Sequence, residues 1–349
     1  MKIKDISLVN PKSNRFKDFI NYIDTSSVLD GTISNVQRIE NDYPSRAQRE
    51  LNVNDILISS VRPNLRHNCF IKKPIEHGIA STGFIQIRVN NDKWLSSFIY
   101  YFLTTNKMIE HYTNIANSST TTFPAFNKEV IEQIGLPQIS LEEQRHIVDT
   151  IGSVDSLIEL NQEKISKIKR LATQKYEFLY KTYPKSAIGK RLKFIKGKQP
   201  KFASKEDGEP YLIIDDLASN IHTQFSSEGL VCDENDVLMV MDGASSGKVF
   251  TGNKGYVGST LAKLSSPQIK PSILYFGLSK FEEEIMKNTT GSAIPHTDKS
   301  FVSELRIVDD LDDKTTDFFN FCLNQICNLR TQNSLLYIQK EILLKKYFH

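Results

Sequence analysis

The strongest constraint on this 349-residue chain is that it repeats itself. Asn54-Asp55 precedes the apolar run Ile56-Leu-Ile-Ser59, and Asn235-Asp236 precedes Val237-Leu-Met-Val240. Each reads as a turn entering a buried strand. Ile79-Ala-Ser-Thr-Gly83 is echoed by Val257-Gly-Ser-Thr-Leu261, and Phe98–Leu103 by Ile273–Leu278, each of the latter opening a helical stretch. Asn117–Lys128 faces Asn288–Lys299, and from Pro124 the copies stay 171 residues apart to the C-terminus. Matching segments in one order imply one unit folded twice. That unit reads as a mixed α/β (α+β) domain followed by a long helix.

The helices follow from spacing. Ile147, Ile151, Val154, Ile158, Asn161, Ile165, Ile168 and Ala172 recur at four-three intervals. This is a coiled-coil seam in which one polar residue, Asn161, sets the register. A helix over residues 141–181 is roughly 60 Å long at 1.5 Å per residue. In the second copy Cys322, Leu329, Leu336 and Leu343 recur every seven residues, with Gln325, Gln332 and Gln339 interleaved, so that seam is weaker. The expected packing is helix on helix and antiparallel, with an α/β domain at each end. The expected boundaries are residues 1–140 and 186–312 for the α/β domains, and 141–185 and 313–349 for the helices. The other reading is that each helix packs only on its own domain.

Composition narrows the class. Hydrophobic residues make up 39% and charged residues 24%, with 44 Lys+Arg against 41 Asp+Glu. This is globular rather than disordered composition. No apolar run approaches the roughly 18 residues of a membrane span, and the start lacks a signal-like stretch. The expectation is a cytoplasmic protein with no membrane partner. Cys69, Cys232, Cys322 and Cys327 form no CxxC pair and read as reduced core thiols. A net charge of +3 is too small for a polycation, yet charge is blocked: residues 161–201 hold 13 Lys/Arg and two Glu. That block reads as phosphate contact with a duplex or as a solvated helix face.

The tools of catalysis are missing from the pattern. There is no GxGxxG after a strand, no HExxH and no GxSxG. Asp242-Gly-Ala-Ser-Ser-Gly247-Lys248-Val249 is one residue short of a phosphate loop, and Val249 stands where Ser or Thr would hold magnesium. It reads as a hairpin or surface loop. No metal site and no cofactor are expected in this chain.

Specific motifs add a resemblance. Ser45-Arg46-Ala-Gln-Arg49 followed by Val61-Arg62-Pro63-Asn64-Leu-Arg66, then Ser81-Thr-Gly-Phe84, then Leu136-Pro137-Gln through Glu143-Gln144, resembles type I restriction-modification specificity (S) subunits. In the second half Gly291–His296 followed by Leu305-Arg-Ile-Val fits, but Asp309 and Thr315 replace the first half's Pro and Gln. The resemblance implies two target-recognition domains reading a split DNA target, spaced by two antiparallel helices. It implies no catalysis in the chain. Double-stranded DNA, two modification (methyltransferase) subunits and restriction (endonuclease) subunits would be the partners. S-adenosylmethionine, ATP and Mg would sit on those partners. The helices' outer faces would receive the modification subunits. Two readings stay beside it: a stand-alone metal-dependent nuclease, and a coiled-coil assembly scaffold without DNA specificity.

Readout of DNA needs polar side chains on exposed loops. In the first half the candidates are Arg46, Arg49, Arg62, Asn64, Arg66 and His67, then Ser118, Thr120, Thr121, Thr122, Asn127 and Lys128. Arg46 and Arg62 read either as phosphate contacts or as braces of the fold. In the second half they are Lys196, Lys198, Gln199 and Lys201 on a turn, Ser245, Ser246 and Lys248, and Thr290, Ser292, His296 and Lys299. His296 reads as a hydrogen-bonding or core residue rather than a metal ligand or general base, because no partner motif accompanies it. Trp94, the only tryptophan, reads as core.

Overall fold

The computed structural model describes residues 1–13, 18–118, 124–219, 222–291 and 293–348. It divides into two compact units, Met1–Ser153 with Lys340–His349, and Val154–Gln339. Nine helices are described: α1 Ser96–Leu103, α2 Asn106–Asn117, α3 Lys128–Glu132, α4 Leu141–Thr182, α5 Ile214–Ser219, α6 Pro271–Lys280, α7 Glu282–Lys287, α8 Lys299–Glu304 and α9 Asp313–Tyr347. The two long helices, α4 and α9, each contribute residues to both units.

The first unit holds two four-stranded sheets. One is antiparallel, in the order Ser7–Val9, Phe84–Val89, Ile56–Ser59, Asn68–Phe70. The other runs Gln37–Ile39, Ile20–Ile23, Gly78–Ser81, Ala47–Glu50, with a parallel central pair. The run Ile56–Ser59 is continuously buried because both faces of its sheet are covered. Ile56, Ile58, Ile85 and Ile87 pack with Phe98, Ile99 and Tyr101 of α1, whereas Leu57 and Phe84 pack with Ile23 and Ala80 of the second sheet. Ser140 caps α4: its hydroxyl accepts from Glu143 N at 3.2 Å, and Ser140 N donates to the Glu143 carboxylate at 2.9 Å. Gln144 is buried and clamps the turn around Trp94, donating to Lys93 O and accepting from Leu95 N. Trp94 packs on Phe98, with ring centroids 6.0 Å apart.

The second unit repeats this plan. Its antiparallel sheet is ordered Lys193–Lys196, Leu261–Ser265, Val237–Val240, Val249–Phe250. Its second sheet is ordered Phe225–Ser226, Glu209–Leu212, Gly255–Val257, Val231–Cys232, again with a parallel central pair. Val237, Met239, Ala262 and Leu264 face the helices, whereas Leu238, Val240 and Leu261 face the second sheet. The strand register refines one equivalence. Phe84 lies opposite Ser59 as Leu261 lies opposite Val240, so Leu261 corresponds to Phe84, one residue past the Gly83 that the motif comparison suggested.

The seam of α4 is buried as its spacing predicts at Ile147, Ile151, Val154, Ile158 and Asn161, while Ile165 and Ile168 are partly buried. Within the second unit α4 and α9 run antiparallel: Asn161 Nδ2 donates to Asn333 Oδ1 at 2.9 Å, and farther along Tyr176 meets Phe319 with centroids 5.9 Å apart. Within the first unit Ile147 and Ile151 share a core with Leu344. On α9 Cys322 and Leu329 are buried, while Leu336 and Leu343 are half-buried. The weaker seam has a physical cause. Its complementary positions are Ile326, Asn333 and Lys340, all buried, and two of the three are polar. Asn161 thus meets Asn333, a polar pair inside an apolar seam. All four cysteines are free and buried, as their scatter suggested.

Candidate nucleic-acid interface

The candidate loops of each unit are tied by the same three backbone hydrogen bonds. In the first unit Ser60 N donates to Gly83 O (2.9 Å), Arg62 N to Pro124 O (3.0 Å) and Phe126 N to Ser60 O (3.0 Å). In the second, Met241 N donates to Thr260 O (2.8 Å), Gly243 N to Pro295 O (2.9 Å) and Thr297 N to Met241 O (2.9 Å). The bridge Val61–Ala125 is matched by Asp242–His296. The 171-residue offset from Pro124 to Pro295 is therefore also a structural equivalence. A buried strand, on leaving its sheet, is clamped by the loop that precedes a short helix. The clamp presents different side chains in each unit.

In the first unit the loop after Ile56–Ser59 turns sharply. Arg62 and Arg66 adopt φ of 47° and 53° and flank a short 3-10 turn, Pro63–Leu65. Arg62 and Asn64 are exposed. Arg66 is not presented in the same way. Its guanidinium is held by Asn106 and lies 3.9 Å from Asp30 and 4.0 Å from Glu341 of α9. Asn106 in turn donates to Glu341 at 2.6 Å. Arg66, one of the candidates from the sequence, thus ties this loop to the end of α9. His67 is half-buried with Nδ1 against Val28 O, a fold contact as well. The groove beside this turn, about 490 Å³, is lined by Asn64, Arg66, Asn106, Ile109 and Glu110 among others.

Arg46 is exposed, and its carbonyl accepts from Thr82 N at 2.8 Å, which brings the Arg-rich strand to the same Thr82-Gly83 turn that Ser60 meets. Arg49, directly after the bulge in its strand, is half-buried, and its Nε has no hydrogen-bond partner among the described residues. Burial lowers its pKa from the ordinary arginine value. Ser118 and Asn127 are exposed, and Asn127 precedes α3 without using its side chain as a cap. Lys128 is paired with Glu132 one turn on, at 3.2 Å. Thr120, Thr121, Thr122 and Ser292 lie outside the described residues.

In the second unit three of the expected loops meet at one carboxylate. Asp242 Oδ2 accepts from Lys196 Nζ at 2.7 Å, and Asp242 Oδ1 lies 2.7 Å from His296 Nδ1. Burial pushes the Asp242 carboxyl up. The hydrogen bonds from Lys196 and His296, with the charge of Lys196, outweigh it and leave the pKa below the ordinary value. Lys198, Gln199 and Lys201 are exposed on the turn after Lys193–Lys196, and Lys201 pairs with Glu228 at 2.8 Å. Gly197 opens that turn because a Cβ there would lie 2.1 Å from Val257 O. Thr290 and Lys299 are exposed, and Lys299 Nζ lies 5.9 Å above the Phe194 ring.

The phosphate-loop lookalike is a hairpin connection between strands Val237–Val240 and Val249–Phe250. Ser245 and Lys248 are half-buried in it. Ser246 is buried, and its hydroxyl lies between two carbonyl acceptors, Gly243 O at 2.7 Å and Pro295 O at 2.9 Å. This candidate from the sequence thus fastens the clamp from within the fold. The basic block is also partly spent on the fold. Lys175 sits over Phe318, Lys185 over Tyr180, and Arg191 pairs with Asp309. Sequence reasoning missed the pairing at Asp242, which depends on a neighbour 54 residues away. A lone acid in a turn carries no local signal.

Among the described residues no group of three or more His, Cys, Asp or Glu is placed to hold a metal ion. No described helix is long and apolar enough to cross a membrane.

Comparison with known proteins bears on this surface. Residues 1–170 match the family model described as type I restriction modification DNA specificity domain. The type I restriction enzyme MjaVIII specificity subunit of Methanocaldococcus jannaschii is 34% identical over 128 residues, covering 34% of this chain and 30% of that protein. The HindI specificity subunit of Haemophilus influenzae is 30% identical over 156 residues, covering 43% of this chain and 33% of that protein. The matches therefore span about a third of each of these curated relatives. Among solved structures, the type I restriction-modification S subunit from M. genitalium is 17% identical, covers 100% of this chain and 95% of that chain, and has a TM-score of 0.49. Over residues 1–170 the chain is therefore similar to the DNA specificity domain of type I restriction-modification specificity (S) subunits.

Proposed function

We propose that the chain is the DNA-reading subunit of a type I restriction-modification complex, that each unit reads one half of a split target, and that it carries no catalysis itself. The observation that carries this reading is the clamp repeated in both units with different side chains on it: Arg62, Asn64 and Asn127 in one, Lys196, Asp242, His296 and Lys299 in the other. One scaffold used twice with two surfaces suits two different half-sites. Exposed arginines on the first clamp grip phosphate and position the duplex, while the variable polar groups read base edges. The domain boundaries at residues 140, 185 and 312 are part of the same proposal.

Partner subunits supply the chemistry in this reading: two modification subunits with S-adenosylmethionine methylate adenine, and restriction subunits with ATP and Mg cleave. The long helices offer them docking surface. Leu157, Leu160, Leu171 and Phe178 on α4 and Phe321, Leu335, Ile338 and Ile342 on α9 are 45–64% exposed. Apolar side chains at that density along a helix are an interaction surface.

The test is the methylome of native cells with and without the gene, alongside co-purification with the tagged chain. The expected result is loss of methyladenine at one split motif, with a methyltransferase bound. An unchanged methylome with no methyltransferase bound would overturn the reading. In the assembled complex Arg62→Ala should weaken binding across all sequences and reduce the salt slope by about one phosphate contact. Relaxation of a single target position instead would make Arg62 a base reader.

A further inference from the structure

The clamp is common to both units, but the cluster Lys196–Asp242–His296 is not. The matching hydrogen bonds equate Val61 with Asp242 and Ala125 with His296. Strand register equates Val9 with Phe194, since each lies opposite the equivalent pair Ile87 and Leu264, which places Pro11 at Lys196. The three positions are thus Pro11, Val61 and Ala125 in one unit and Lys196, Asp242 and His296 in the other. The first unit builds the same backbone without any of these polar groups. The fold does not require them.

We propose that Asp242 is a positioning residue of the second unit's reading surface, holding the His296 ring so that its Nε2 accepts from the exocyclic amino group of an adenine or cytosine. This rests on the reading of the chain as a DNA-specificity subunit. Three observations carry it. The carboxylate sits behind its partners: the Asp242 side chain is 23% exposed, against 49% for Lys196 and 50% for His296. The His296 backbone is fixed on both sides, bridged to Asp242 and paired with Thr290. The ring lies against Gly291, where a Cβ would come within 2.9 Å of His296 Cδ2. A side chain held this way is preorganised for a base edge.

The chemistry follows from the hydrogen bond. In the neutral ring, Nδ1–H donates to Asp242 Oδ1, which leaves Nε2 with its lone pair outward. An acceptor in the major groove matches the N6 amine of adenine or the N4 amine of cytosine, and it is mismatched with the acceptors O6 and N7 of guanine. Lys196 is already neutralised by Asp242 at 2.7 Å, so it releases few counterions on binding and adds little to a non-specific phosphate grip. An acid beside a DNA-facing loop is repelled by phosphate. Its presence fits base reading rather than backbone gripping.

The experiment selects preferred sequences from randomised duplexes, using the chain assembled with its modification subunits. It compares wild type with Asp242→Val and His296→Ala, each variant taking the residue found at the equivalent position of the first unit. Thermal midpoints check folding, and Asp242→Asn serves if the valine variant melts early. The expected result is that both variants lose about tenfold or more of the preference for an amino-bearing base at one and the same position of one half-site. The other half-site stays unchanged. Profiles identical to wild type would overturn the proposal and leave the parent reading standing. So would a uniform loss across all sequences, which marks a phosphate contact. Absence of any sequence preference in the wild-type complex would overturn both.

Discussion

The two units share a scaffold and differ in how its ends are held. Asp55 and Asp236 stand at the same point, the turn entering the central buried strand. Asp55 is fully buried and accepts from Arg88 Nε and Nη2 (both 2.8 Å), Gln86 Nε2 (2.7 Å) and Asn52 N (2.7 Å). Asp236 is 22% exposed and has Lys263 Nζ at 2.6 Å and Asp233 N at 2.7 Å. One position has become a buried ion-pair network, while the other remains a capped turn near solvent. A duplicated turn therefore keeps its backbone task, accepting the amide three residues earlier, while the charge around it drifts.

The largest expected effect breaks this symmetry. Asp55→Ala leaves Arg88 and Gln86 to share Glu50 O and should cost about 2–4 kcal/mol. Asp236→Ala loses a partly exposed pair and a turn hydrogen bond, about 1 kcal/mol. The single tryptophan, Trp94, belongs to the first unit, so its fluorescence in urea reports that unit, whereas far-UV dichroism reports both. Asp55→Ala should shift the fluorescence midpoint strongly, and Asp236→Ala should shift only the dichroism. Equal fluorescence shifts for the two variants would mean that the units unfold as one.

The helix seam gives the next effect. Asn161→Ala leaves the Asn333 amide buried without its 2.9 Å partner and should cost about 1–3 kcal/mol. The double variant Asn161→Leu with Asn333→Leu should be more stable than either single one, because the polar pair sets register at the expense of stability. A double-variant cycle with no coupling would show that the pair sets nothing.

Much of this architecture was legible in the sequence. The repeat, the seam of α4 and the hairpin at Asp242–Val249 follow from spacing and turn residues, which are local signals. The pairing of Asn161 was half legible: its place in the seam was clear. Its partner Asn333 sits in the weaker seam, where polar residues occupy apolar positions. The second sheet was not legible. Its strands run two to four residues, too short to show alternation. In the candidate site, sequence marked the loops but not the side chains they present. Ser246 looks like a surface residue in a string of polar residues, and only tertiary contacts bury it. Asp242 gains its role from residues 46 before it and 54 after it.

The smallest effect compares the two units through their thiols. Burial pushes Cys69 in the first unit and Cys232 in the second up to about 12. In the unfolded chain these thiols ionise near their ordinary value of 9.0, and in the folded chain they stay protonated. Stability is therefore intact below about pH 9 and falls as pH rises toward 12, because the unfolded state then binds fewer protons. At pH 9 the loss is well under about 1 kcal/mol per thiol. Alkylation sees the same burial more directly, since the thiolate is the reactive form. At pH 8 neither thiol should react in the native chain except through opening of its own unit. Mass-spectrometric labelling along a urea series then gives each unit its own transition. With Asp55→Ala, Cys69 should become reactive at lower urea while Cys232 keeps its wild-type curve. Labelling of Cys69 in the absence of urea, at the rate of the unfolded chain, would contradict the buried position that this structure gives it.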